Sequence, residues 1–167
     1  MDVGSLEVLD TFHHYIKPAI HNPLSQFCVD LTGISQEKVD QGLSLEAVLE
    51  QHHQWLVKNG LVDDKTHQKL KKWIYVTCGD WDLLSGLPCN CLYFNITPKA
   101  YFLDWINLLT VFRINLPKFS GKGMTGMLSF LGLELEGKHH SGIDDCLNIS
   151  RIVKKLLEQG IIFKKTI

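Results

Sequence analysis

Long apolar runs, unbalanced charge and paired cysteines are all scarce in this sequence. No apolar stretch reaches the roughly 18 residues of a membrane span, so no membrane partner is expected. Asp2 and Glu7 stand where a secretory leader carries basic residues, and no continuous apolar segment follows them. The chain therefore reads as intracellular, cytoplasmic or nuclear. The sequons Asn95-Ile96-Thr97 and Asn148-Ile149-Ser150 read as silent. Lys and Arg number 17 against 18 Asp and Glu, a net charge of -1. No global basic field marks a nucleic-acid partner, which would need a local patch. Cys28, Cys78, Cys89, Cys91 and Cys146 form no CxxC pair and no zinc ladder with the histidines. They read as reduced, mostly buried thiols. Gly121-Lys122-Gly123 is not a phosphate loop, because no Ser or Thr follows the lysine and no earlier glycine has the required spacing.

What is present is a globular composition in 167 residues, with 45% hydrophobic and 21% charged residues. That suits one domain covering 1–167. Leu6 to Lys17 alternates as a strand, with Val8, Phe12 and Ile16 taken as one face. A short helix is expected over Leu24 to Leu31, stopping at Gly33, and another from Ser35 to Gly42. Ser44 caps a longer helix that ends at Asn59-Gly60 and carries Leu45, Val48, Leu49, His52 and Leu56 at helical spacing. Lys71 to Thr77 reads as a strand buried on both faces. Asp82 to Phe94 reads as helical up to Pro88. Trp105 to Leu108 reads as a second short strand. Leu116 to Gly123 is a basic loop with Lys118 and Lys122. Thr125 is the expected cap of a helix over Met127, Leu128 and Phe130. A last helix runs from about Gly142 to Gln159 with Cys146, Ile149, Val153 and Leu156 on one face. Strands alternating with helices give an α/β domain.

Chemistry is concentrated in Gly79-Asp80-Trp81-Asp82 and His139-His140-Ser141-Gly142-Ile143-Asp144-Asp145. The first lies at a strand end, where α/β folds gather their sites. The second lies at a loop-to-helix junction, where helix-end potential favours anions. If the two meet, Asp82 and Asp145 share hard cations such as Mg²⁺ or Mn²⁺, and His140 takes a proton from an attacking water. The plainer readings are a helix cap for either aspartate, a surface histidine, and a chance nickel- or zinc-binding pair in His139-His140. Lys118 and Lys122 read as phosphate contacts or as a solvated turn. Trp73, Tyr75, Trp81 and Trp105 read as core, with base stacking as the alternative.

At these residues the chain resembles the Eri-type 3′-5′ exoribonucleases of the DEDDh exonuclease superfamily, which have a ribonuclease H-like fold. The resemblance runs in order through Phe12-His13-His14-Tyr15-Ile16-Lys17-Pro18, Leu24-Ser25-Gln26-Phe27-Cys28 and Leu31-Thr32-Gly33-Ile34. It continues through Gly79-Asp80-Trp81-Asp82, Trp105-Ile106-Asn107-Leu108, His140 to Asp145 and Ile162-Phe163-Lys164. It implies a mixed sheet flanked by helices and removal of nucleotides from RNA 3′ ends, single-stranded or structured. Two Mg²⁺ or Mn²⁺ ions serve the intact family site. Asp82 and Asp145 are then metal-binding and catalytic, His140 is the general base, and Thr32, Gly33 and Ile34 hold the terminal nucleotide. Asp80 and Asp144 rank below their neighbours. The family's first motif, a strand carrying Asp-x-Glu, has no match here, since only Asp2, Glu7 and Asp10 lie near the start.

The chain therefore reads as N-terminally truncated, lacking the first strand and two of four carboxylates. The alternatives are a catalytically dead RNA-binding or partner-binding pseudo-exonuclease, a protein whose sheet is completed by a partner chain, and a gene fragment without function. Leu108 to Phe112 and Trp73 to Val76 are the expected aggregation-prone edges.

Overall fold

Serines set the first helix starts. Ser25, Ser35 and Ser44 each hold extended backbone and accept a hydrogen bond from the N–H three residues on. They open α1 (Gln26–Thr32), α2 (Gln36–Asp40) and α3 (Leu45–Lys58) in the computed structural model, which describes residues 1–20 and 22–166. Gly33 ends α1 in the left-handed region at φ 72°, where a side chain would be strained. These three helices lie where the serine and glycine signals put them.

β1 (Tyr75–Thr77) and β2 (Trp105–Asn107) pair in parallel, with Tyr75 opposite Trp105 and Thr77 opposite Asn107. Between them a π-helical turn (Asp82–Gly86) runs directly into α4 (Leu87–Tyr93). Pro88 therefore does not end the helical stretch, which continues through it to Tyr93. After β2 come α5 (Leu108–Asn115), α6 (Gly123–Phe130) and α7 (Gly142–Glu158).

The sheet separates two apolar clusters. Val76 packs with α5, α6 and α7 around Leu108, Phe112, Met127, Ile152 and Leu156. Tyr75 faces the other way, toward Leu56 of α3 and the pair Tyr101 and Phe102. That split is the two-residue period of a strand. It gives an α/β arrangement in which a small sheet has helices on both sides. No helix among the described residues is long and apolar enough to cross a membrane.

Several expectations fail. Leu6 to Lys17 makes no ladder among the described residues. It has single bridges at Glu7 and Ile16, and Val8 and Leu9 are exposed. Alternation reports an extended chain with one better-covered side, but a strand also needs a neighbour for its backbone. The 71–77 strand shrinks to three half-buried residues. Leu108 to Phe112 is no sheet edge. Asn107 caps it into a helix, and Leu108, Val111 and Phe112 turn inward. Thr125 lies inside α6, which starts at Gly123. The cysteines are not mostly buried, since Cys28, Cys89 and Cys146 are exposed and only Cys91 is fully covered. Cys146 therefore leaves the inner face of α7, which is built from Asn148, Ile152, Val153 and Leu156.

His52 gives the fold a pH dependence. Phe12, Trp55, Tyr75 and Phe102 surround its ring at centroid distances of 5.3 to 6.1 Å, and its Nδ1 is buried without a partner. Burial, helped by the neighbouring His53, pushes its pKa from 6.5 down to about 4. The unfolded chain then binds a proton that the folded chain refuses. The contribution is complete above the unfolded pKa and is lost as pH falls from 6.5 toward 4. Between pH 7 and 5 the loss from this group is about 2 kcal/mol. Urea unfolding of the wild type and His52→Phe at both pH values checks it. The variant should lose less stability on acidification, and equal losses would remove His52 as the cause.

Candidate active site

The site grows from the end of β1. Gly79 turns the chain at φ 123°, which a side chain would disfavour. Asp80 is then fixed to β2. It accepts from Trp105 Nε1 at 2.9 Å and from Asn107 Nδ2 at 2.9 Å. The Asn107 Oδ1 accepts from Leu109 N and Thr110 N and so caps α5. With Asp80 held on that side, Trp81 and Asp82 are left outside. Trp81 is 71% exposed and is not core, against the expectation for this aromatic, whereas Trp105 is buried. A Cβ on Gly86 would strike the Trp81 ring at 2.8 Å, so the glycine makes room for the indole. Asp82 is exposed at the start of the π-helical turn, and no described residue donates to its carboxylate.

The second half is a loop laid along α7. Arg151 Nη1 donates to Glu134 O at 2.8 Å. Asn148, fully buried, donates to Glu136 O and accepts from Glu136 N. Asp144 accepts from Lys138 N at 3.0 Å, and that N–H holds its carboxyl below the ordinary range. Gly137, at φ 74°, leaves no room for a Cβ, which would meet the Asp144 carboxyl carbon at 2.5 Å. Asp145 accepts from His140 N at 3.2 Å and lies 3.1 Å from His139 Nδ1. His140 has φ 71°, uncommon for a residue with a side chain, and its ring stacks on His139 with centroids 3.8 Å apart.

The two halves share one electrostatic place. The Cys78 thiol is pushed up to about 11, first by burial and then by the charges of Asp82 and Asp145. Thr32-Gly33-Ile34 lies against the histidine loop. Lys138 Nζ donates to Asp30 O at 2.9 Å, and a Cβ on Gly33 would meet that Nζ at 2.9 Å. Lys118 and Lys122 are exposed, and no hydrogen bond or ion pair joins them to Asp82, His140 or Asp145. Between them Phe119 is buried against Phe112 and Phe130, so the basic loop is anchored by its aromatic residue. A groove of about 740 Å³ opens beside Asp82, lined by Trp81, Tyr93, Phe94, Ile16 and Leu45 among others. Sequence reasoning missed Lys138 and Asn148, whose targets are backbone groups. It named His139 only as a chance metal binder.

The fold matches known ones. The RNase_T exonuclease family model covers residues 1–153. The chain belongs to this exonuclease family. It is 43% identical over 162 residues to ERI1 exoribonuclease 3 of Homo sapiens, covering 97% of this chain and 47% of that protein. It is 33% identical to ERI1 exoribonuclease 2 of Mus musculus, covering 99% of this chain and 25% of that protein. It thus spans about half or less of these relatives' length. The solved nuclease domain of 3′hExo, a DEDDh family member bound to rAMP, superposes with a TM-score of 0.91 at 31% identity. That match covers 100% of this chain and 81% of the other. A 3′-exonuclease solved in recognition of the histone mRNA stem-loop superposes at 0.90 and 30% identity, over 98% of this chain and 71% of that one. The ribonuclease H-like fold expected from the motifs is therefore the fold of this exonuclease-family domain, whose family depends on divalent metal.

Asp80 and Asp82 should separate by thermodynamics. Asp80→Ala strands two donors and is expected to cost about 2–4 kcal/mol. Asp82→Ala removes a carboxylate with no protein partner and is expected to stay within about 0.5 kcal/mol. Denaturant unfolding of both variants measures the difference, and equal losses would contradict this division of labour.

Proposed function

We propose that this chain is a 3′-5′ exoribonuclease domain that removes nucleotides from RNA 3′ ends with Mg²⁺ or Mn²⁺. The observation that carries the reading is the exposed Asp82 carboxylate, which no described residue satisfies, at the end of β1 in a chain that superposes at a TM-score of 0.91 on a DEDDh nuclease domain. Asp82 and Asp145 are carboxylates from separate segments, and among the described residues Asp82 has no partner to neutralise it. Asp80 and Asp144 are already committed to protein donors. Hard divalent cations prefer such oxygen donors, so the residues present fit the metal the family uses. When bound, such a cation lowers the pKa of water and stabilises charge on the phosphoryl oxygens.

The chain's own residues do the rest. Asp82 and Asp145 hold the cations. His140, exposed and tied to Asp145 through its backbone N–H, takes the proton of the attacking water. Trp81 offers an exposed indole face beside Asp82 for the terminal base. Thr32, Gly33 and Ile34 border the histidine loop and hold the end of the strand. Lys118 and Lys122 contact phosphates farther along the RNA. The relatives, exoribonucleases and a 3′-exonuclease that recognises the histone mRNA stem-loop, support RNA as the substrate class.

A second reading, an RNA 3′-end binder that does not cleave, is favoured by the small number of uncommitted carboxylates. A 5′-labelled RNA incubated with the protein and Mn²⁺ separates the two. The expected result is a 3′-shortening ladder that is lost in Asp145→Ala and slowed about 10²-fold or more in His140→Ala. Binding of RNA without any ladder would establish the second reading. An undiminished ladder from Asp145→Ala would place the chemistry elsewhere.

A further inference from the structure

His139 is the group at the site that the proposed hydrolysis does not use. Its ring stacks on His140 at 3.8 Å and 26°, and its Nδ1 lies 3.1 Å from an Asp145 oxygen. One donor atom each from His139, His140 and Asp145 lies within 4.8 Å of the others. The left-handed backbone of His140 is a conformation that normally costs free energy. It allows two successive imidazoles to lie face to face beside one carboxylate, where an extended chain would send them to opposite sides.

We propose that His139, His140 and Asp145 form a binding site for a zinc-class transition ion. This site has a different donor set from the Asp82 and Asp145 carboxylates, and filling it excludes them from sharing a hard cation. Two nitrogens and one oxygen suit Zn²⁺ or Co²⁺ far better than Mg²⁺, which prefers oxygen alone. Metal–ligand bonds of about 2.0–2.1 Å in a tetrahedron set neighbouring ligand atoms about 3.3 Å apart. The observed 3.1 Å between His139 Nδ1 and Asp145 is already at that spacing. The other separations are within 4.8 Å, and His140, which must leave its stack on His139 to close them, is exposed. A fourth position stays open to water or a phosphate oxygen. The support is organised too. The His140 N–H holds the Asp145 carboxylate, and the Asp144 bond to Lys138 N fixes the loop just ahead of both rings. Because Asp145 and His140 belong to both sets, a bound transition ion removes a carboxylate and a proton acceptor from hydrolysis. That consequence rests on the exonuclease reading, whereas the binding itself does not.

Calorimetry with Zn²⁺ in millimolar Mg²⁺ tests the site, with Co²⁺ as the spectroscopic probe of tetrahedral nitrogen coordination. Wild type and Asp82→Asn should bind one ion with equal affinity and gain thermal stability from it. His139→Asn should bind about tenfold or more weakly, gain no such stability and melt as the wild type does without metal. Equal zinc affinity in His139→Asn, or loss of zinc binding in Asp82→Asn, would overturn the assignment. Neither readout depends on RNA cleavage, so failure of the site and failure of the nuclease reading are distinguishable.

Discussion

Asn148 is the residue on which the site's geometry hangs. Its amide is fully buried and makes both of its donor bonds, to Glu136 O and Asp144 O. Its oxygen accepts from Glu136 N and Arg151 Nη1. An amide completely satisfied in a dry interior is worth more as a constraint than as stabilisation, because every alternative leaves a polar atom stranded. The pairing with Glu136 imitates a strand ladder, but the partner is a helix side chain. Arg151, Asn148, Asp144 and Asp145 successively hold residues 134, 136, 138 and 140. Arg151, Asn148 and Asp144, three and four residues apart along α7, thus fix alternate loop residues, and Asp145 holds the turn at His140.

The first half of the site is built by the same means. Asp80 occupies both of its oxygens with β2, and Asn107 passes that constraint on to the start of α5. The C-terminal ends of both strands and the N-terminus of a helix are therefore tied at one point. What lies immediately beyond, Trp81 and Asp82, projects into solvent, and no described residue donates to the Asp82 carboxylate. Stability is kept one or two residues away from reactivity in both segments, so strain and unpaired charge at the site do not loosen the frame.

Helix boundaries were legible where one residue carried the signal. Ser25, Ser35 and Ser44 cap as their side chains dictate, and Gly33 and Gly60 stop their helices in left-handed backbone. At Leu6 to Lys17 the alternating pattern misled, because alternation describes one chain while a ladder needs two. Leu108 to Phe112 misled for a related reason. A short apolar run with β-branched residues suits strand or helix, and only the Asn107 cap and the packing of Phe112 on Phe119 decide it. Trp81 was misjudged because aromatic residues are usually core, and nothing local reveals that Gly86 is there to free the indole. Asp82, Asp145 and His140 could be picked out by motif. The tie from Lys138 to the segment before Gly33 depends on a backbone carbonyl that a sequence does not distinguish.

The paired acids sharpen this point. Asp80 and Asp82 differ in no intrinsic property, nor do Asp144 and Asp145. What separates them is the donors that each meets. Asp80 and Asp144 accept from a buried asparagine, a tryptophan or a loop N–H, which fixes their geometry and spends their charge on the fold. Asp82 meets no described donor. Asp145 meets one backbone N–H and an imidazole that can itself turn toward a metal. A carboxylate already satisfied by protein has little free energy to gain from a cation, whereas one left wet or half-paired has much more. Doubling the acid in each motif therefore lets the same residue type build the frame and serve the chemistry. Position relative to the frame's donors decides which acid does which.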